Sequence, residues 1–231
     1  MKKTLSHGSN NIIDKPILSL GKTTNDYGKG FYCTEDFELA CQWATKNNNN
    51  GYANEYVLDL SELKVLNLMD PKYTVLNWLA ILLKNRTFRL YDETAIDAKE
   101  YLLNNFYIDT TEYDVVIGYR ADDSYFSYAQ SFISNSLSLK NLSAALKLGN
   151  LGTQIVLVSE KAFERLSFEK SHFADKKIYF PKFISNDEKA REEFQHKIKR
   201  NKPSKDDIYI RDIIIEEMNS NDSRIQRTIC N

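Results

Sequence analysis

One stretch constrains the fold of this chain more than any other: Gly28 to Ala44, which reads Gly-Lys-Gly-Phe-Tyr-Cys-Thr-Glu-Asp-Phe-Glu-Leu-Ala-Cys-Gln-Trp-Ala. Gly28 and Gly30 permit backbone angles and close approaches, by a ligand or another strand, that a Cβ forbids. Phe31, Tyr32, Cys33 and Thr34 are the aromatic, thiol and β-branched mix that a strand favours. Thr34 is placed to cap a following helix, with Glu35 and Asp36 in its positive first turn. Phe37, Ala40, Cys41 and Ala44 then recur at helical spacing and predict a core-facing stripe. A glycine turn, a strand and a helix in direct succession can bring two aromatics such as Tyr32 and Trp43 around one flat ligand.

The flanking sequence supplies more elements. A short strand is expected at Thr4 to His7, followed by a polar loop from Asn10 to Asp26 that Pro16 keeps non-helical. Glu55–Leu60 and Leu63–Leu68 read as strands. Asp70-Pro71 has the form of a helix start, with Val75, Trp78, Leu79, Leu82 and Leu83 on one face beyond it. A second helix is expected from Glu93 to Phe106, strands at Tyr113–Tyr119 and Gln154–Val158, and helices after Asp123, Ser138 and Ser159. Beyond Ser171 the texture changes: a charged helix from Asn186 to Arg200, a linker around Pro203, and an amphipathic stretch with Ile210, Ile213, Ile214 and Met218 on one side. The expected division is a main domain over residues 1–170 and a helical extension over 171–231, whose isoleucine stripe must bury itself on the core or on a partner.

Composition limits the function classes. The 31 Lys and Arg balance 32 Asp and Glu to a net charge of −1, which argues against binding nucleic acid by bulk electrostatics while leaving room for a local groove. The three cysteines, Cys33, Cys41 and Cys230, form no CxxC pair, and with His7, His172 and His196 they are too scattered for a zinc site. Two of them lie on faces that look buried, which points to a reducing, cytoplasmic setting. The opening Met-Lys-Lys-Thr-Leu lacks the apolar stretch of a signal peptide, and Val75 to Leu83 is too short to span a bilayer, so no membrane association is expected.

His7-Gly8-Ser9 near the start, followed by Gly28-Lys-Gly-Phe-Tyr32 opening a helix, resembles the core of the ADP-ribosyltransferases of the poly-ADP-ribose polymerase and diphtheria-toxin type. The segments Trp78–Arg86 and Tyr113–Asp123 and the strand at Gln154 also resemble a bacterial group of poorly defined function that shares this core. The likeness covers residues 1–168. It implies an α+β fold in which two antiparallel sheets, a split β-sandwich, pack around an NAD cleft. It implies that His7 binds a ribose hydroxyl of NAD, that Gly8 (through its backbone) and Ser9 (through its hydroxyl) hold the nicotinamide amide, that Gly30 and Tyr32 frame the cleft, and that Trp43 stacks on the ring.

Where that family carries a glutamate, this chain places Gln154. A neutral amide still hydrogen-bonds but stabilises a cationic sugar less than a carboxylate does. Mono-transferases of the family also lack the glutamate, so the resemblance implies transfer of a single ADP-ribose. Asp122, Asp123 or Glu160 are the nearby carboxylates that can substitute. The expectation is thus an NAD-dependent mono-ADP-ribosyltransferase with His7, Tyr32 and Gln154 as its catalytic set. It would act on a protein or nucleic-acid acceptor as a bacterial toxin or defence effector, with an antitoxin or partner protein at the extension. The alternatives are an NAD glycohydrolase and a non-catalytic module that binds NAD or ADP-ribose. Each key residue also has a plainer role open to it: His7 as a satisfied strand-end histidine, Trp43 as helix packing, Asp122 and Asp123 as helix caps.

Overall fold

The computed structural model describes residues 1–121, 123–148, 152–197 and 204–227. Two sheets organise it. The first has the order β1 (Lys2–Ser9), β3 (Gly51–Asp59), β7 (Leu166–Ala174) and is antiparallel throughout. The second has the order β2 (Phe31–Cys33), β6 (Thr153–Leu157), β5 (Val115–Tyr119), β4 (Val65–Asn67). Its β4–β5 pair is parallel, so the expectation of purely antiparallel sheets fails there. The long connection between these strands, which carries two helices, is what permits the parallel pairing.

The sheets meet at a seam. Ser6 N–H donates to the Thr34 carbonyl at 2.8 Å and Thr34 N–H to the Ser6 carbonyl at 3.0 Å, an isolated antiparallel bridge between β1 and the end of β2. Between the sheets pack Leu5, Phe31, Cys33, Tyr56, Leu58, Ile155 and Leu157. The other face of the second sheet contributes Leu66, Val116 and Val156 to a larger core filled by helices.

Four helices supply most of that second core: α2 (Val75–Asn85), α3 (Glu93–Asn105), α4 (Asp123–Ile133) and α5 (Leu139–Ala145). Helix α2 is buried on every side from Leu76 to Leu83, not on one face as the spacing predicts, because helices and sheet enclose it. Asn77 survives in that run because its polar atoms are satisfied: it caps back to Thr74 N–H at 2.7 Å and donates to the Phe106 carbonyl at 2.8 Å. The helix starts at Thr74, which closes a capping box, and not at Asp70-Pro71. Those two residues form a turn instead, with Tyr73 N–H returning to the Asp70 carbonyl at 3.0 Å. Proline suits the second position of such a turn as well as a first helical turn, so the motif alone does not separate them.

Helix α1 (Phe37–Thr45) lies on the first sheet through small residues: Ala40, Cys41 and Ala44 against Ala53 and Ala174. Its cap is Asp36, which accepts from Leu39 N–H at 3.1 Å, whereas Thr34 is spent in the seam and in holding Asp36 N–H at 3.1 Å.

After α6 (Glu160–Glu164), strand β7 runs straight through the boundary drawn at residue 170 and pairs with β3 along its length, with a bulge at Glu55/Tyr56. Helix α7 (Lys176–Lys197) begins ten residues earlier than the charge pattern predicts and contains Pro181. It packs on α1 through Lys182–Glu38 at 2.6 Å and Asn186–Gln42 at 2.9 Å. In α8 (Ile210–Ile215), Ile210 and Ile213 are buried in the helical core, and α9 (Ser223–Arg227) adds Ile225 to it. The isoleucine stripe is therefore covered by the chain itself, with Ile215 left outside. Among the described residues, no helix is long and apolar enough to cross a membrane.

Candidate functional site

A cleft of about 850 Å³ opens beside the seam, within the size range of small-molecule sites. His7 reaches it from β1. The carbonyl of Tyr32 can only accept, so His7 Nδ1 carries the proton and donates to it at 2.7 Å. That bond fixes the tautomer and leaves Nε2 as an acceptor. The ring stacks on Phe31, with centroids 4.3 Å apart. Burial pushes the His7 pKa below its ordinary value; the bond to Tyr32 opposes this and nearby Lys46 adds to it. His7 is thus a neutral imidazole at pH 7, suited to accept from a hydroxyl.

Tyr32 lines the same cleft, but its hydroxyl is committed. It donates to the Gly28 carbonyl at 2.7 Å and accepts from Tyr27 N–H at 3.0 Å. Burial, chiefly, pushes its pKa well above the usual phenol range. What Tyr32 offers a ligand is therefore its ring, while its hydroxyl braces the glycine turn.

Gly8 and Gly30 also line the cleft, and both are required by packing. A Cβ on Gly8 would lie 2.0 Å from the Ala40 carbonyl oxygen of α1, and one on Gly30 would lie 2.8 Å from the Leu157 carbonyl oxygen of β6. Ser9 is elsewhere. Its hydroxyl donates to the Asn11 carbonyl at 2.5 Å and accepts from Asn54 Nδ2 at 3.0 Å, closing the loop after β1, and it is not part of the cleft wall.

Trp43 is in the wall, yet one face of its indole carries the Arg120 guanidinium, 4.9 Å from the centroid. The same guanidinium lies 5.9 Å from the ring of Phe183 on α7. Ligand stacking on Trp43 is confined to what that cation leaves open. Among the described residues, its buried Nε1 has no hydrogen-bond partner.

Gln154, at the start of β6, lines the cleft and is nearly buried. Its Nε2 donates to Asp26 Oδ2 at 3.0 Å. Asp26 closes the stretch expected to be a polar loop. It too is buried, and three donors converge on it: Gln154 Nε2, Ala121 N–H at 2.9 Å, and Arg86 at 2.7 Å from Oδ1. Arg86 in turn lies 5.0 Å from the centre of the Phe126 ring. The carboxylate next to Gln154 is therefore Asp26. Glu160 is exposed at the start of α6, outside the cleft wall. Asp122 and the side chain of Asp123 lie outside the described residues.

The wall as a whole is cationic and aromatic. Lys15, Lys22, Lys46, Arg86 and Arg120 face Asp26 and Asp187. Such a cleft attracts an anion with flat rings. Asp26 and the α7 residues carried no motif, and Arg120 had no role of its own in the segment that contains it; their placement in space reveals them.

These features define a two-sheet α+β protein with a basic, aromatic cleft at the sheet junction. Residues 3–168 match the model of a family described as "Protein of unknown function (DUF3990)", and the chain belongs to that family. The match ends inside β7, so the part of the wall that α7 provides lies beyond it. No curated protein and no solved structure matches the chain.

Proposed function

We propose that this protein is an NAD-dependent mono-ADP-ribosyltransferase with an ADP-ribosyltransferase-like fold. The observation that carries the reading is convergence. His7, Tyr32 and Gln154, which the resemblance names from three distant stretches, line one cleft at the junction of two sheets. The cationic wall suits a pyrophosphate, and the His7 and Tyr32 rings suit a ribose and a flat base.

In the reaction the bond from ribose C1′ to the nicotinamide nitrogen breaks, and its electron pair stays with the ring, which leaves neutral. A lone pair of the acceptor closes on C1′, and the acceptor's proton passes to water. Positive charge builds on the sugar in between, so groups that hold the ribose through their lone pairs lower the barrier. His7 Nε2 and the Gln154 amide oxygen are such groups. The acceptor would be a protein or nucleic acid, as for a toxin or defence effector. A cytoplasmic setting fits the buried free thiols of Cys33 and Cys41.

A non-catalytic NAD-binding module is the second reading, favoured by the guanidinium already lying on Trp43. Nicotinamide release from NAD by the purified protein, with and without cell lysate, separates the readings. Release that rises with lysate and is lost in His7→Ala and Tyr32→Ala supports a transferase. Equal release without lysate indicates a glycohydrolase. Binding of NAD with no release leaves the module.

A further inference from the structure

We infer that Asp26 is a positioning residue for this site: it takes the Nε2 proton of Gln154 in a hydrogen bond and so holds the amide oxygen toward the cleft, where that oxygen receives a ribose hydroxyl of NAD. The inference rests on the transferase reading above and adds a residue to it.

A carboxylate only accepts, so the contact at 3.0 Å must be made by the NH₂ of Gln154. The oxygen Oε1 then points away from Asp26. Among the described residues it has no protein partner, and the buried polar atoms left unpartnered are Trp43 Nε1 and His172 Nε2 alone. Oε1 is therefore open to the cleft. An untethered glutamine could present either end of its amide; this one is held with the acceptor outward. The donor bond to a carboxylate also polarises the amide, placing more negative charge on Oε1 as the sugar becomes cationic. Together the pair of side chains does what a single carboxylate does elsewhere: Gln154 touches the ribose and Asp26 supplies the charge behind it. Arg86 and Ala121 N–H hold Asp26 in place.

This arrangement reverses the obvious substitution. Gln154→Glu, which should strengthen a site merely lacking a carboxylate, here puts a second carboxylate about 3 Å from the first. Two such groups cannot both ionise cheaply, so one holds a proton to higher pH than an ordinary carboxyl. Protonated, the introduced carboxyl mimics the amide: its hydroxyl donates to Asp26 and its carbonyl faces the cleft. Ionised, it repels Asp26 and loses its place. The charged and titratable groups around the pair are Arg86 at the end of α2, Tyr27 and Tyr32 about the glycine turn, His7 on β1, Lys46 after α1, Arg120 after β5, Asp187 on α7, and Lys15 and Lys22 on the loop.

The test is nicotinamide release by the full chain from about pH 5.5 to about pH 8, each variant divided by the wild type at the same pH to cancel titration of the other groups. Gln154→Glu is expected to fall at least about tenfold across that range, with NAD affinity at low pH near that of the wild type. Adding Asp26→Asn, which removes the like charge, should flatten the profile. A Gln154→Glu variant equal to or above the wild type throughout, or a double variant with the same fall, overturns the proposal; so does a fall in release that only follows the fraction unfolded in melting curves of the same variant. Wild type that binds NAD but releases nothing refutes the transferase reading itself. In that case melting curves of the same variants read the Asp26–Gln154 contact alone, and a Tm deficit of Gln154→Glu that does not grow with pH rules the contact out.

Discussion

Replacing Arg86 by methionine isolates the ion pair that holds the site. Arg86 meets Asp26 at 2.7 Å, with Asp26 7% and Arg86 30% exposed by side chain. Breaking a fully buried pair by removing one partner costs about 3–5 kcal/mol. Arg86 is partly solvated, and Gln154 and Ala121 still donate to the carboxylate, so the cost here should be about 2–3 kcal/mol. For a chain of this size that is a Tm lower by roughly 5–10 °C. Methionine keeps contact with Phe126, so lost packing adds little.

Thermal melting at neutral pH, monitored by circular dichroism, measures the loss. A Tm within about 1 °C of wild type would refute the view that Arg86 neutralises a buried charge.

Two further substitutions separate packing from chemistry. Gly8→Ala sets a Cβ 2.0 Å from backbone of α1, which cannot yield as a side chain can; a cost of about 3 kcal/mol or more, the upper range for overpacking, is expected and is read as a collapsed Tm or loss of soluble protein. Tyr32→Phe keeps the ring but strands the Gly28 carbonyl and Tyr27 N–H; a loss of about 1–3 kcal/mol in stability is expected, with nicotinamide release reduced only as far as the turn loosens.

How far the fold was legible depended on how local its causes were. Phe31–Cys33 and α1 were readable because glycine, strand residues and an apolar stripe sit side by side. Ser138 and Ser159 announced the helices they cap. Strand β7 was missed because Leu166–Ala174 alternates weakly: only Ala174 in it is buried, while Phe173 is exposed, so the order comes from pairing with β3 and not from its own pattern. The start of α7 was hidden by Pro181, which opposes a helix locally but is outweighed by docking on α1. Of the cleft residues, His7 and Tyr32 stood out through the spacing of two motifs, and Gln154 only through the family resemblance. Asp26 did not, because it lies in an unpatterned loop, and Arg86 only closes a patterned helix; their meaning arises where residues 26, 86, 121 and 154 converge.

The same logic applies to charge, and it yields the last prediction. A chain with net charge −1 looks electrostatically neutral, yet the cleft gathers five cationic side chains against two carboxylates. Charges spread along a sequence tell nothing of local potential; a concave, partly dry wall concentrates it. Arg86 is paired with Asp26, and Lys15, Lys22, Lys46 and Arg120 line the same wall with Asp187. If a pyrophosphate sits there, binding of ADP-ribose should weaken several-fold when salt is raised from about 50 to about 500 mM, as the Debye length shrinks from well above about 10 Å to about 4 Å. Nicotinamide riboside, which has the ring and sugar but no phosphate, should not weaken. Calorimetric titration of both ligands decides the matter. Equal salt dependence would mean that the basic wall serves an acceptor or a partner, and that any NAD is held by His7, Tyr32 and Gln154 without it.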